Sequence, residues 1–224
     1  MPTIITHWAY LRNYYHPVIL APSMYTTALL AKYALVSDQV NRDQVGVILS
    51  ELERILPTLD GAVVEFGCYI GTTSLFIRRL LDGLSDDREF HVYDSFKGLP
   101  PKTAQDESRA GEQFRAGELA VSKKQFVQQF QKAGLKPPIV HKDWFKDLTA
   151  ADVPKTIAFA FLDGDFYESI RDSLKLVLPR MQAGGTVIID DYAREALPGA
   201  AKAVYEQLPG RQITTAHNLG IVHL

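Results

Sequence analysis

The chain has a single cysteine, Cys68, in 224 residues. That excludes an internal disulfide and a thiolate metal cluster, both of which need partners. It leaves the redox compartment open with a lean toward the cytosol, and a cytoplasmic protein is expected. A charge excess is also lacking: Lys plus Arg number 24 and Asp plus Glu 26, for a formal net charge of −2. Such a balance offers no field for wrapping a nucleic-acid backbone, so no nucleic-acid partner is expected. Long apolar runs are missing as well. The N-terminal stretch is broken by Pro2, His7, Arg12, Asn13, His16 and Pro17, which argues against a signal peptide, a membrane span and any membrane partner. No repeat or low-complexity tract occurs. What is present is a 46% hydrophobic, 22% charged composition, enough for a packed core and too apolar for global disorder.

The length fits one domain with a terminal extension. Residues 1–57 read as a helical extension and 58–224 as the main domain. Tyr10, Tyr14 and Tyr15, near the start, can pack on the domain, line a site or meet a second subunit, and a homo-oligomer is expected. Residues 24–40 and 43–56 read as helices. In the second, Val45, Ile48, Leu49, Leu52 and Ile55 recur at helical period, Asp43 is placed to cap it, and Pro57 ends it. From residue 62 the pattern alternates. Strands are expected at 62–66, 90–93, 139–141, 157–162 and 186–189. Helices are expected at 72–81, 123–133, 167–178 and 200–208, and segments 211–215 and 219–223 form a terminal antiparallel pair. Strands alternating with amphipathic helices give a parallel α/β sheet, in which ligands sit beyond the carboxyl ends of the strands.

Acids collect at those ends: Glu65, Asp94, Asp143, the pair Asp163 and Asp165, and the pair Asp190 and Asp191. Between the first strand and helix runs Glu65-Phe66-Gly67-Cys68-Tyr69-Ile70-Gly71. Gly67 and Gly71 permit a tight turn and close backbone approach to a ligand. Tyr69 stands where the dinucleotide fingerprint needs glycine, and no Lys-Ser/Thr pair follows as in a phosphate-binding loop. Glu65 repels phosphate and favours a cation, and Asp94 is placed to accept hydrogen bonds from ribose hydroxyls. Together they point to a nucleoside with a positive end. Asp163-Gly164-Asp165 and Asp190-Asp191 are separated by one strand–helix–strand unit, which brings the two edges together. Four crowded carboxylates repel unless protonated or neutralised. Oxygen-only donors select a hard ion such as Mg²⁺, Mn²⁺ or Ca²⁺.

At these residues the sequence resembles the macrocin O-methyltransferase family of S-adenosylmethionine-dependent, Mg²⁺-dependent sugar O-methyltransferases. The resemblance runs through Val64 to Gly71, Asp94-Ser95-Phe96-Lys97-Gly98-Leu99-Pro100, Lys142 to Leu148, Asp163-Gly164-Asp165-Phe166-Tyr167-Glu168-Ser169, Gly184-Gly185 and Ile189-Asp190-Asp191-Tyr192. It implies a Rossmann-like class I methyltransferase fold with a seven-stranded, mostly parallel sheet and a C-terminal antiparallel hairpin. It further implies that Glu65, Gly67 and Gly71 contact the methionine part of S-adenosylmethionine. Asp94 would bind the ribose with Ser95 beside it, and Asp143 and Trp144 would lie near the adenine. Asp163, Asp190 and Asp191 would hold Mg²⁺, Asp165 would be the general base, and the segment from Asp94 to Leu119 would begin a mobile cover. Two departures stand out: Asp143 replaces a usual glycine, and Cys68-Tyr69-Ile70 replaces a Trp-Arg-Gly type sequence.

The reaction so implied is methyl transfer to one hydroxyl of a vicinal diol, on a sugar of a small-molecule natural product. A catechol-type acceptor is the alternative within enzymes. A non-catalytic nucleoside-binding scaffold is the alternative outside them, and the missing basic stripe argues against an RNA substrate.

Overall fold

A computed structural model describes residues 22–224. The expectations for Tyr10, Tyr14 and Tyr15 lie outside these residues.

Helix α1 spans Met24–Lys32, with Ser23 as its N-cap accepting from the Thr26 N–H. The sequence predicts a helix over 24–40, and the structure ends it eight residues earlier, at Lys32. The reason is tertiary: the Arg42 guanidinium donates to the carbonyls of Leu30 and Tyr33, taking the orphan acceptors of the last turn. Residues 33–41 then run without helix, and Ser37 hydrogen-bonds Thr72 at 2.7 Å. Helix α2 spans Arg42–Ile55, and its cap is Asn41, not Asp43. Asn41 and Gln44 form a reciprocal capping box, while Asp43 sits in the first turn, where its charge meets the positive helix end. Ser23 at the cap and Thr26 within the first helix both donate to Glu53 of the second, at 2.5 and 2.9 Å.

Strand β1 (Ala62–Phe66) leads into α3 (Thr72–Gly83), and β2 (Phe90–Asp94) is followed by a long loop and α4 (Lys123–Ala133). The rest of the alternation is β3 (Ile139–Lys142), β4 (Ile157–Leu162), α5 (Tyr167–Val177), β5 (Met181–Ile189) and α6 (Pro198–Gln207). The chain closes with β6 (Thr214–Ala216) and β7 (Leu219–His223). The sheet order is β3-β2-β1-β4-β5-β7-β6, parallel except that β7 runs antiparallel to β5 and β6. His217 and Asn218, both at positive φ, make the two-residue hairpin turn that matches the twist of β6 and β7. The seven-stranded, mostly parallel sheet with its terminal hairpin is as expected. Strand β5 begins five residues before the expected start, with a register break against β4 where Gly184 and Gly185 bend it.

Side chains alternate between two cores. Val63, Val92, Phe159, Phe161 and Ile188 face α2, α3 and α4 on one side, where Ile48, Leu80 and Phe126 are fully buried. Val64, Phe66, Ala160, Leu162 and Val187 face α5 and α6 on the other, against Ile170, Leu174 and Val204. Each buried Leu, Ile or Phe is worth about 1.5–3 kcal/mol over leaving it exposed. The strand order reverses at β1, which has β2 on one side and β4 on the other, so a crevice opens above their carboxyl ends.

Candidate active site

The crevice begins where β1 ends. Gly67 has φ +88°, and a Cβ built on it would stand 1.8 Å from the carbonyl oxygen of Asp163, at the end of β4. Glycine is required there by both the backbone angle and the closeness of the neighbouring strand. Gly71, at φ +99°, starts α3, and a Cβ on it would meet the Phe126 ring at 2.9 Å. Asp94 holds the turn between them. Its Oδ2 accepts the N–H groups of Cys68 at 2.9 Å and Tyr69 at 3.3 Å, and its Oδ1 accepts that of Phe96 at 2.7 Å. The buried Ser95 hydroxyl accepts from the Lys97 N–H at 3.0 Å.

Glu65 lies beneath this turn, only 1% exposed, and accepts from the Ser74 hydroxyl at 2.5 Å. Burial pushes its pKa up to about 8, the nearby Asp94 charge adds to this, and the Ser74 bond opposes it.

Beyond β4 and β5 the four aspartates come together. Asp163 and Asp165 both sit well above the ordinary carboxylate range, first through burial and then through repulsion from Asp190 and Asp191. Burial and Asp191 raise Asp190 to about 7, against the bonds it accepts. Asp191 is raised by burial and partly restored by Arg194, which donates to its Oδ1 at 3.0 Å. Asp165 and Asp191 hold φ values of +58° and +54°, the left-handed region that Asp tolerates better than most side chains. Asp190 takes two donors on the same oxygen, Oδ1: Gln44 Nε2 at 3.1 Å and the Asp191 N–H at 2.9 Å.

A cavity of about 500 Å³ joins these two regions. Of the residues singled out from sequence, Gly67, Asp94, Ser95, Trp144, Asp163, Asp165, Asp190 and Asp191 line it. Glu65, Gly71 and Asp143 do not. Glu65 turns to Ser74, Gly71 packs on Phe126, and the exposed Asp143 accepts the N–H of Trp144 at 2.9 Å. One wall is the loop after β2, with Leu99, Lys102, Phe114 and Leu119. Buried Asp106 ties this loop down by accepting from Thr103 and from the Tyr167 N–H at 2.6 Å, supplying the cap that α5 lacks from Phe166. The Phe114 ring carries the Arg194 guanidinium at 5.1 Å, and Lys97 lies 5.8 Å from the Trp144 ring centre.

Sequence reasoning missed Gln44, Asp106 and Arg194. The spacings Asn41-x-x-Gln44 and Thr103-x-x-Asp106 are readable as capping boxes, which marks the turns they close but not what their far sides touch.

As placed, no three His, Cys, Asp or Glu side chains among the described residues converge to hold a metal ion. The donor chemistry nevertheless fits a hard divalent cation: the carboxyl groups are buried and mutually repelling, and both hydrogen bonds to Asp190 fall on one oxygen.

The reversed last strand, the glycine turn closed by the acid at the end of β2, and the cavity across β1 and β4 define a class I methyltransferase fold. The chain belongs to the macrocin O-methyltransferase family, which it matches over residues 42–218. It is 38% identical over 143 residues to 8-demethyl-8-(2,3-dimethoxy-alpha-L-rhamnosyl)-tetracenomycin-C 4'-O-methyltransferase of Streptomyces olivaceus, covering 61% of this chain and 54% of that one. Mycinamicin III 3''-O-methyltransferase of Micromonospora griseorubida is 32% identical over 154 residues, covering 65% of this chain and 59% of that one. The chain thus spans little more than half the length of these relatives. Among solved structures, the O-methyltransferase NovP superposes with a TM-score of 0.70 at 27% identity, covering 80% of this chain and 78% of that one. CalS11, a calicheamicin methyltransferase, shares the fold at a TM-score of 0.67 and 18% identity, over 95% of this chain and 96% of that one. Among the described residues no helix is long and apolar enough to cross a membrane.

Proposed function

We propose that this chain transfers a methyl group from S-adenosylmethionine to one hydroxyl of a vicinal diol on a sugar of a natural product. The observation that carries the reading is one cavity holding both the Gly67 turn and the four aspartates. Family membership supports it, as does the tetracenomycin relative, whose name gives a rhamnosyl compound as its methyl acceptor.

S-adenosylmethionine supplies a methyl group on a sulfonium, open to in-line attack by oxygen. Gly67 lets the backbone approach it, and Trp144 offers a flat face for the adenine. Asp94 Oδ2 is taken by the Cys68 and Tyr69 N–H groups and the Cys68 thiol, while Oδ1 accepts only the Phe96 N–H, which leaves a lone pair on Oδ1 for a ribose hydroxyl. Glu65 acts from below the turn as a counter-charge, ionising when the positive end of the cofactor arrives.

Asp163, Asp190 and Asp191 would hold Mg²⁺, which supplies positive charge that acidifies a neighbouring hydroxyl. The hydrogen bonds from Gln44 and the Asp191 N–H fall on Asp190 Oδ1 and that from Arg194 on Asp191 Oδ1, so the Oδ2 atoms would be the ones to hold the ion. Asp165 takes the acceptor proton. It lines the same cavity as the three acids that would hold the ion, which suits a carboxylate acting as general base. As the oxygen–methyl bond forms the carbon–sulfur bond breaks, leaving a methyl ether and S-adenosylhomocysteine.

The segment before residue 58 belongs to the same proposal as the acceptor side of the site or an oligomer contact, because Gln39 lines the cavity. A cytoplasmic biosynthetic role goes with it. Purified protein is to be assayed with S-adenosylmethionine and paired rhamnoside and catechol acceptors. Transfer to the rhamnoside is expected, and loss of transfer when the neighbouring hydroxyl is deleted. Efficient catechol methylation with an inert rhamnoside would reverse the acceptor class.

A further inference from the structure

We propose that Gln44 is a positioning residue, holding Asp190 in the orientation that leaves Oδ2 for a ligand. This rests on the reading of Asp190 as a site acid. Gln44 is the third residue of α2 and is 7% exposed. Its Oε1 accepts the backbone N–H of Asn41 at 3.0 Å, and its Nε2 donates to Asp190 Oδ1 at 3.1 Å across 146 residues of chain.

The two bonds fix each other. Flipping the amide would set its NH₂ against the Asn41 N–H, two donors face to face, and would turn an oxygen onto a carboxylate. The capping box therefore dictates that an N–H points at Asp190. With the Asp191 N–H on the same oxygen, the carboxylate plane is set and Oδ2 carries no bond from either donor. A capping box accepts Glu as readily as Gln. Here Glu would bring a further acid against Asp163, Asp165, Asp190 and Asp191, so only the amide both caps the helix and orients the acid. The same helix start follows directly on the segment carrying Gln39, which lines the cavity, and Ser37, which bonds Thr72 in the first turn of α3. Outer residues that orient a ligand side chain are worth about 10–100-fold in metal affinity.

The test compares Gln44→Ala, Gln44→Glu and Asn41→Ala with the parent protein, using Mn²⁺ alone as probe and crystal structures of each. Asn41→Ala breaks the cap and keeps the Gln44 donor, so it separates helix stability from positioning. Gln44→Glu keeps the cap and loses the donor, which guards against a variant that does not fold. Both alanine variants should melt lower. Gln44→Ala alone of these two should weaken Mn²⁺ binding about tenfold or more. The Asp190 carboxylate should turn in both Gln44 variants and stay in Asn41→Ala. An unmoved Asp190 in the Gln44 variants, or equal loss of Mn²⁺ affinity in Gln44→Ala and Asn41→Ala, overturns the proposal. A parent protein that binds no Mn²⁺ sinks the metal reading separately, and the position of Asp190 in the crystals still decides the role of Gln44.

Discussion

Gly67 and Asp163 stand so close that the carbonyl oxygen of one occupies the space a Cβ on the other would need, at 1.8 Å. The end of β1 and the end of β4 are therefore packed backbone against backbone, which ties the glycine turn to the acid cluster. Gly67→Ala must part the strands or rotate the turn out of its φ of +88°. The expected cost is at least about 2 kcal/mol, or several degrees of melting temperature, with loss of cofactor binding. Thermal melting and calorimetry check this. A variant with parental melting temperature and affinity would show that the turn is looser than the structure has it.

Asp94 serves the turn before it serves any ligand, since three backbone N–H groups already point at it. Asp94→Asn keeps the shape but sets an amide NH₂ against at least one of those donors, whichever way it flips. S-adenosylmethionine affinity should fall tenfold or more, about 1.4 kcal/mol, with a lower melting temperature. Unchanged affinity by calorimetry would detach Asp94 from the cofactor site.

The buried acids make metal-free stability depend on pH in a fixed direction. Glu65 at about 8 and Asp190 at about 7 lie far above the unfolded value of about 4. The folded chain then binds more protons than the unfolded one, so stability falls as pH rises from about 4 to about 8. Melting temperature without metal should drop by several degrees between about pH 5 and about pH 8. Asp190→Asn should flatten the curve. Added Mg²⁺ should raise melting more at about pH 8 than at about pH 5, because the acids are then already ionised. A metal-free curve that rises over this range contradicts the account of the cluster.

Asp165 can be tested without disturbing its backbone. Its φ of +58° suits Asn as well as Asp, so Asp165→Asn keeps the loop while removing the carboxylate. Turnover at saturating Mg²⁺ and cofactor should fall about 10²–10⁴-fold, with cofactor affinity nearly intact. Near-normal turnover would take Asp165 out of the proton path and leave water as the acceptor.

Much of this arrangement was legible in the sequence, and the illegible part has a common cause. The strand segments followed from period and from the apolar runs at 62–66 and 157–162, which need no partner to be read. Asp163, Asp165, Asp190 and Asp191 were placed together because parallel strands put their carboxyl ends on one edge. The end of α1 was not legible, because Arg42 from the next helix stops it by taking the carbonyls of Leu30 and Tyr33. Nor were Gln44 on Asp190 and Asp106 on Tyr167, contacts that cross 146 and 61 residues. Glu65 was legible as an acid of the turn but not as one sealed behind it, since its orientation is set by Ser74 on the following helix.

The most direct test of the account is to incubate the protein with S-adenosylmethionine carrying a labelled methyl, Mg²⁺ and a rhamnosylated natural product, and to locate the label by mass spectrometry and NMR. The account predicts one labelled methyl ether per acceptor, on an oxygen whose neighbouring carbon carries a free hydroxyl, and one equivalent of S-adenosylhomocysteine. Protein that is folded and binds both cofactor and Mg²⁺, yet moves no label to any sugar hydroxyl, would contradict it.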